Sequence, residues 1–131
     1  IMSSADIVKL TENIIVKRVK TKAEARRVLR FHYEQAITQD KFIQTYFDVS
    51  DIEDCFQFDL EYVDIVAGDG LSFYQYDMNS QTIINSLIQV DLYSELNLLR
   101  KVKPRSKKLG AMAKFLLFAE ETLLEYLPKV Q

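Results

Sequence analysis

The chain has 131 residues, of which 48% are hydrophobic and 27% are charged, and its net charge is −2. This length and composition are typical of one globular domain, so we expect residues 1–131 to form a single domain. No apolar run approaches the ~18 residues of a membrane span, and the small negative charge argues against a dedicated nucleic-acid binder, so neither partner is expected.

The first predicted elements are a helix, a strand and a longer helix. Residues 3–11 favour a short opening helix, and residues 13–19 favour a strand because their apolar members are all β-branched. Thr21 and Glu24 have the spacing of a capping box, in which each side chain satisfies a free backbone amide at a helix start. The apolar stripe that follows predicts a helix to about Gln35.

The middle of the chain shows signals for helix starts and for a turn. Residues 42–47 favour a short helix. Ser50 and Glu53 have the spacing of a second capping box, which predicts another helix start. The sequence Gly-Asp-Gly at 68–70 is a turn signal.

A hairpin and a long helix are predicted in the last part of the chain. Residues 71–77 and 82–92 favour two strands joined by a turn at 77–80, and such a short connection makes the pair antiparallel. Residues 98–105 are interpreted as a basic connector. Residues 107–127 form the strongest helical pattern, which Pro128 is expected to end.

The predicted fold class is α+β. The strand at 13–19 and the two hairpin strands are expected to share one antiparallel sheet. The helices that begin near Lys22 and Lys107 are expected to pack on this sheet, because each has one apolar stripe that must be covered.

Cys55 and His32 are the only cysteine and the only histidine. A lone cysteine is most often a small buried apolar residue. A nucleophile would need a base, and His32 is the one histidine that can serve, although no spacing supports the pair. Two such residues are too few for a zinc site, so no metal is expected.

Several stretches of the chain carry a resemblance to a known family: residues 14–19, 23–31, 28–43, 70–77, 83–92 and 107–121. In this order they resemble the front part of a Gcn5-related N-acetyltransferase. More narrowly, they are similar to the arylalkylamine N-acetyltransferases of invertebrates, which insert a helix like the last stretch before their fourth strand. The resemblance implies the N-terminal portion of an acyl-CoA N-acyltransferase-like fold.

The resemblance implies transfer of an acetyl group from acetyl-CoA to a small amine. The family holds the acetyl-CoA pyrophosphate at an Arg/Gln-x-x-Gly-x-Gly/Ala loop that opens a helix. We do not interpret residues 105–113 as this loop, because no predicted strand ends before Arg105 and Met112 stands where a small residue is needed. The chain is therefore expected to lack the cofactor-binding loop and to be inactive in isolation.

Asp40 is the candidate catalytic residue that the resemblance implies. Residues 28–43 match the region where the subfamily carries Phe-Phe-x-Asp-Glu-Pro-Leu-Asn, and Asp40 with Lys41 stands at its Glu-Pro. A carboxylate there is thought to act as general base, because an ammonium has no lone pair to attack a thioester. The alternative is a solvated carboxylate at a helix end, and Glu34 is a weaker candidate for the base.

Aromatic residues are candidates to line a pocket for an arylalkylamine, although most are expected to belong to the core. They are Phe31, Tyr33, Phe42, Tyr46, Phe47, Phe73, Tyr74 and Tyr76.

Two classes of function stay open at this point. One is the amine-side portion of an N-acetyltransferase; the other is a non-catalytic interaction module of the inhibitor or immunity type. The expected partners are a small amine, and either a second copy or a missing C-terminal half that covers the edge of the strand at 82–92. The single cysteine and the lack of a signal-peptide pattern predict a cytoplasmic location.

Overall fold

The first described element is a strand. The computed structural model describes residues 6–130, with side chains to Leu127. Strand β1 (Ile7–Lys9) pairs antiparallel with β2 (Ile14–Arg18), so the predicted opening helix is wrong for residues 7–9, whereas residues 3–5 lie outside the described part. β-branched residues in β1 favour the extended form, and pairing with β2 outweighs the helical spacing.

The strands described by the structure form one antiparallel sheet in the order β1-β2-β3-β4. Here β3 is Phe73–Asp77 and β4 is Thr82–Leu87, which confirms the α+β class and the shared sheet. The strand predicted to reach residue 92 ends earlier. Ser72 Oγ accepts a hydrogen bond from the Gln89 amide and donates one to the Gln89 carbonyl, both at 2.9 Å, and this takes the chain out of the ladder.

Helix α1 (Lys22–Gln39) begins at the predicted capping box. Thr21 Oγ1 accepts from the Glu24 amide at 3.1 Å, and Glu24 Oε1 accepts from the Thr21 amide at 3.3 Å. The helix runs to Gln39 and not only to about Gln35, and α2 (Lys41–Tyr46) follows after one residue. The predicted short helix is thus confirmed.

Helix α3 (Val49–Leu60) begins at a different capping box from the one predicted. Asp48 Oδ1 accepts from the Asp51 amide, and Asp51 Oδ2 accepts from the Asp48 amide, each at 3.1 Å. The box assigned to Ser50 and Glu53 is wrong by two positions. Aspartate fills both roles here, so the Ser/Thr-x-x-Glu pattern is not needed.

Helix α4 (Val63–Asp69) was not predicted. It ends at Gly70, whose φ of 66° is left-handed, so the Gly-Asp-Gly signal marks a helix C-terminus. The hairpin turn between β3 and β4 lies at 78–81, close to its predicted place, and includes Gln81 with a φ of 57°.

Helix α5 (Leu92–Lys101) was not predicted; the predicted strand ended at residue 92 and the predicted connector began at residue 98. Asp91 caps the helix by accepting hydrogen bonds from two first-turn amides. Leu96 and Leu99 are 1% and 5% exposed, so the helix is held by the burial of one leucine face.

Helix α6 (Lys107–Val130) confirms the strongest sequence prediction. It continues past Pro128, so the expected stop there is wrong; the fixed φ of proline is itself helical, and the final turn can accommodate it. The expectation that α6 packs on the sheet is also wrong, because its main contacts are with α5 and α3, whereas α1 contacts β4.

The core lies between the sheet, α1 and α4. It consists of Val19, Ala25, Val28, Leu29, Tyr62, Val63, Val66 and Tyr74. Ile88 and Val90 pack against this core, whereas Ile84 on edge strand β4 is 43% exposed. The layer of α3, α5 and α6 stacks beside α1, and the candidate site lies between them.

Candidate functional site

Asp40 lies at the junction of two helices. It is the C-cap of α1 and the N-cap of α2, and its Oδ1 accepts hydrogen bonds from the amides of Phe42 at 2.9 Å and Ile43 at 3.3 Å. The residue is exposed and lines neither of the two pockets described below. Its geometry matches the helix-end alternative, and its role as a general base stays a prediction. Glu34 is exposed as well and pairs with Arg30 at 3.4 Å.

A small apolar pocket lies between α1, α3 and α6. Its volume is about 240 Å³, a little below the ~300–1,000 Å³ common for ligand sites. Its apolar lining includes Leu29, Phe58, Ile88, Leu109, Met112 and Leu116. The polar groups at its wall come from His32 on α1, from Cys55 and Asp59 on α3, and from Tyr62 just after α3.

Asp59 is the chemically distinctive residue of this pocket. Burial raises the pKa of its carboxyl from 3.8 to about 7. No hydrogen bond or ion pair to its side chain is formed by the residues that the structure describes. A carboxyl in apolar surroundings prefers its neutral form, because the charged form loses hydration. The pocket therefore holds a group that titrates near neutral pH.

The spacing of α3 explains how Asp59 reaches the pocket. Cys55, Phe58 and Asp59 stand at i, i+3 and i+4, so they share one face of α3, and Tyr62 follows just after the helix. This face turns toward α1 and α6. A single aspartate on an otherwise weakly polar helix face is a sequence signal for a candidate site residue. The sequence analysis did not identify Asp59 in this way.

The structure brings Cys55 and His32 to the same pocket but does not join them as a catalytic pair. Burial, followed by the charges of Asp59 and Asp54, raises the pKa of the Cys55 thiol to about 11. A reactive thiolate needs the opposite shift. Burial also lowers the pKa of His32, and no hydrogen bond links the two side chains within residues 6–130. Cys55 is best described as a neutral, partly buried thiol.

A second acidic group borders the pocket through Tyr62. The Tyr62 hydroxyl donates to Glu95 Oε1 on α5 at 3.1 Å. Burial raises the pKa of Glu120 on α6 to about 7, and the neighbouring Glu95 carboxyl adds to this rise through hydrogen bonding and its charge. Glu120 Oε2 is buried and forms no hydrogen bond to the described residues, and this burial favours the protonated form of the carboxyl.

A larger and more polar cleft lies between α3 and the connection from α5 to α6. Its volume is about 930 Å³. One wall carries Glu53 and Glu61, and the other carries Lys103 and Arg105, all exposed to solvent. Solvent screens exposed charges of this kind more than it screens the half-buried carboxyl of Asp59, so charged ligands are held more weakly in this cleft.

The eight aromatic residues considered from the sequence lie elsewhere. Tyr33 borders the larger cleft and packs on Phe56 with ring centroids 4.7 Å apart, and Tyr74 is a core residue whose hydroxyl donates to Glu24 at 2.7 Å. None of the eight lines the small pocket, where the aromatic side chains are Phe58 and Tyr62.

The segment at residues 105–113 is a helix start of ordinary kind. Helix α5, and not a strand, precedes it along the chain. Ser106 Oγ accepts from the Leu109 amide at 3.1 Å and donates to Asp51, and the Ser106 amide donates to Asp54 at 2.7 Å. These bonds fasten the N-terminus of α6 to α3.

Residues 6–130 contain neither a candidate metal site nor a candidate membrane span. No three His, Cys, Asp or Glu side chains there are grouped to hold a metal ion. No helix in that range combines the length and the apolar character of a membrane span.

No family model matches the chain, and neither a curated protein nor a solved structure matches it.

Proposed function

We propose that this chain binds a small primary amine in the Asp59 pocket, as the amine-side portion of an N-acetyltransferase similar to the arylalkylamine type. The observation that carries the proposal is the Asp59 carboxyl, with its pKa near 7, at the wall of an apolar pocket of about 240 Å³. An aralkyl or alkyl ammonium complements such a site, because its apolar part fills the pocket and its cation pairs with the carboxylate.

The same carboxyl has the chemistry of a general base. An amine attacks a thioester only after it loses its proton, and a base whose pKa lies near the working pH accepts that proton most effectively. When the ammonium pairs with Asp59, it favours the charged carboxylate, which would take the proton and free the nitrogen lone pair; attack on the thioester carbonyl would then expel the CoA thiolate. In this proposal Asp59, and not Asp40, is the better-placed base.

The order of the elements supports the acetyltransferase part of the proposal. Strand β2, the helices α1 to α4 and the antiparallel hairpin of β3 and β4 follow one another, and β2 pairs with β3. This is the arrangement that the resemblance to the front of the family implies. Acetyl-CoA is the proposed co-substrate, and the chain contains no Arg/Gln-x-x-Gly-x-Gly/Ala sequence to hold it. The single cysteine favours a reducing, cytoplasmic compartment.

Titration calorimetry with 2-phenylethylamine and with 2-phenylethanol tests the proposal. The wild-type chain is expected to bind the amine at least ~10-fold more tightly than the alcohol, and Asp59→Asn is expected to remove this preference. Asp40→Asn is the matched control and should bind as wild type does. Equal binding of amine and alcohol would overturn the amine site, and loss of binding in Asp40→Asn alone would return the role to Asp40.

The second candidate is a non-catalytic interaction module. It is favoured by the large apolar side chains that α6 exposes, including Phe115 and Phe118. The calorimetric result separates the two, since a module of this kind has no reason to discriminate between an amine and an alcohol.

A further inference from the structure

Helix α6 is apolar on two opposite faces, and the described residues of the chain bury only one of them. The inner face includes Leu109 and Ala113, which are 2% and 7% exposed. The outer face includes Phe115, Phe118 and Tyr126, which are 67%, 70% and 63% exposed. An exposed apolar face of this kind usually marks a site where the protein contacts a partner.

The outer residues form a continuous stripe. Phe115, Phe118, Thr122 and Tyr126 follow one another at spacings of three and four, so they lie along one line of the helix. Leu123, which is 50% exposed, stands at one side of this stripe. Scattered exposed residues need no explanation, but an aligned set of three aromatic rings does.

The size of the stripe suits a helix of similar length. An aromatic side chain carries about 150–250 Å² of surface, so three rings that are two-thirds exposed present roughly 300–500 Å² on one copy. Two such stripes facing each other, with the side chains that flank them, reach about 1,000 Å², the lower limit for a specific interface.

The charges beside the stripe indicate which helix it fits. On one flank, Lys107 and Lys114 occupy the first half of α6, and Glu121 and Glu125 occupy the second half. Glu121 pairs with Arg100 at 3.2 Å, whereas Lys114 and Glu125 form no ion pair within the described residues. A second α6 laid antiparallel brings the basic half of each helix against the acidic half of the other.

We propose that α6 mediates antiparallel self-association, with the stripe of Phe115, Phe118 and Tyr126 packed against the same stripe of a second copy. Lys114 of each copy faces the acidic half of its partner's helix. The small interface predicts a reversible dimer with a Kd in the roughly micromolar range. The surface is separate from the Asp59 pocket, so a test of the dimer does not depend on whether the pocket binds an amine.

Sedimentation velocity over about 1–200 µM protein, with circular dichroism to verify folding, is the test. The wild-type chain should pass from monomer to dimer as concentration rises. Phe115→Ser combined with Phe118→Ser should raise Kd by at least ~100-fold, and both residues are exposed enough for the fold to survive. Ile84→Lys on the edge strand is the matched control and should dimerise as wild type does.

A charge exchange tests the orientation. Lys114→Glu should raise Kd by roughly 2–10-fold, and adding Glu125→Lys in the same chain should restore it. A wild-type chain that stays monomeric at every concentration overturns the proposal. So does a dimer that Ile84→Lys abolishes and the double phenylalanine variant retains, because that dimer forms through the sheet edge. Failure of the restoring substitution overturns the antiparallel arrangement.

Discussion

Replacing Asp59 by asparagine should make the protein more stable at pH 8 and leave its stability nearly unchanged at pH 3, below the unfolded-state pKa of 3.8. Asparagine keeps the shape of the side chain and removes the titrating group. The pKa of Asp59 is raised from 3.8 to about 7 by burial, so between these values the folded state holds a proton that the unfolded state releases. Stability of the wild-type chain therefore falls as pH rises through this window.

The pKa interval sets the magnitude. At about 1.4 kcal/mol per pH unit, the rise from 3.8 to about 7 corresponds to an upper limit of about 4 kcal/mol. Between pH 4.5 and 8 we expect the difference in unfolding free energy between Asp59→Asn and wild type to grow by roughly 2–3 kcal/mol in favour of asparagine. Glu120 contributes a dependence of the same sign to both proteins, and it cancels in this difference.

Urea unfolding followed by circular dichroism at several pH values measures this difference. Glu61→Gln is the matched control, because Glu61 is exposed and its removal changes the net charge equally; its profile should run parallel to that of wild type. If asparagine lowers stability at pH 8, then Asp59 is ionised and well paired in the folded state. That result would refute the reasoning from burial.

Three further predictions concern residues that position the helices. Asp51→Ala should lower the unfolding free energy by roughly 2–4 kcal/mol in urea unfolding, because Asp51 is 7% exposed and accepts the hydroxyl of Ser106 at the start of α6; a wild-type midpoint would contradict this role. Asp40→Ala should lower the unfolding free energy by about 1 kcal/mol because the α2 cap is lost, whereas Asp40→Asn should lower it little. If Asp40 were a general base, either change would lower kcat by roughly 10²–10⁴ in a longer, active form. Gly70→Ala should cost about 1–2 kcal/mol, because φ is 66° and no atom lies within 4 Å of the added Cβ, so only backbone strain acts. Gly68→Ala, inside α4 and equally unobstructed, should stabilise the protein by about 0.5–1 kcal/mol.

The parts of the fold that the sequence predicts are those with strong local signals. Two examples are the capping box of Thr21 and Glu24 and the alternating aromatic pattern of the first hairpin strand. Both can be recognised without tertiary information. Helix α5 was missed because its buried face rests on a few leucines, among them Leu96 and Leu99, and a short apolar run fits a strand as well as a helix. Its N-cap, Asp91, was the available signal and was not used.

The candidate site was less predictable because it depends on contacts between distant segments. Asp59 lies on one face of α3. The sequence predicted where this helix begins, but we did not follow its pattern as far as Asp59. Its elevated pKa arises only when α1 and α6 exclude water from it, and no local pattern reports this. Asp40 drew attention through its resemblance to a family position, whereas its local sequence already fitted a helix cap.

The most direct test of an amine site at Asp59 is to observe the pocket while the amine is added. Met112 lines the pocket, and Met78 lies at the hairpin turn and is 43% exposed, so their methyl resonances serve as probe and internal reference. Titration with 2-phenylethylamine at pH 7.5 should shift the Met112 methyl saturably and leave Met78 in place, and Asp59→Asn should weaken the binding at least ~10-fold. A Met112 methyl that does not respond, or one that responds equally in Asp59→Asn, would contradict the account.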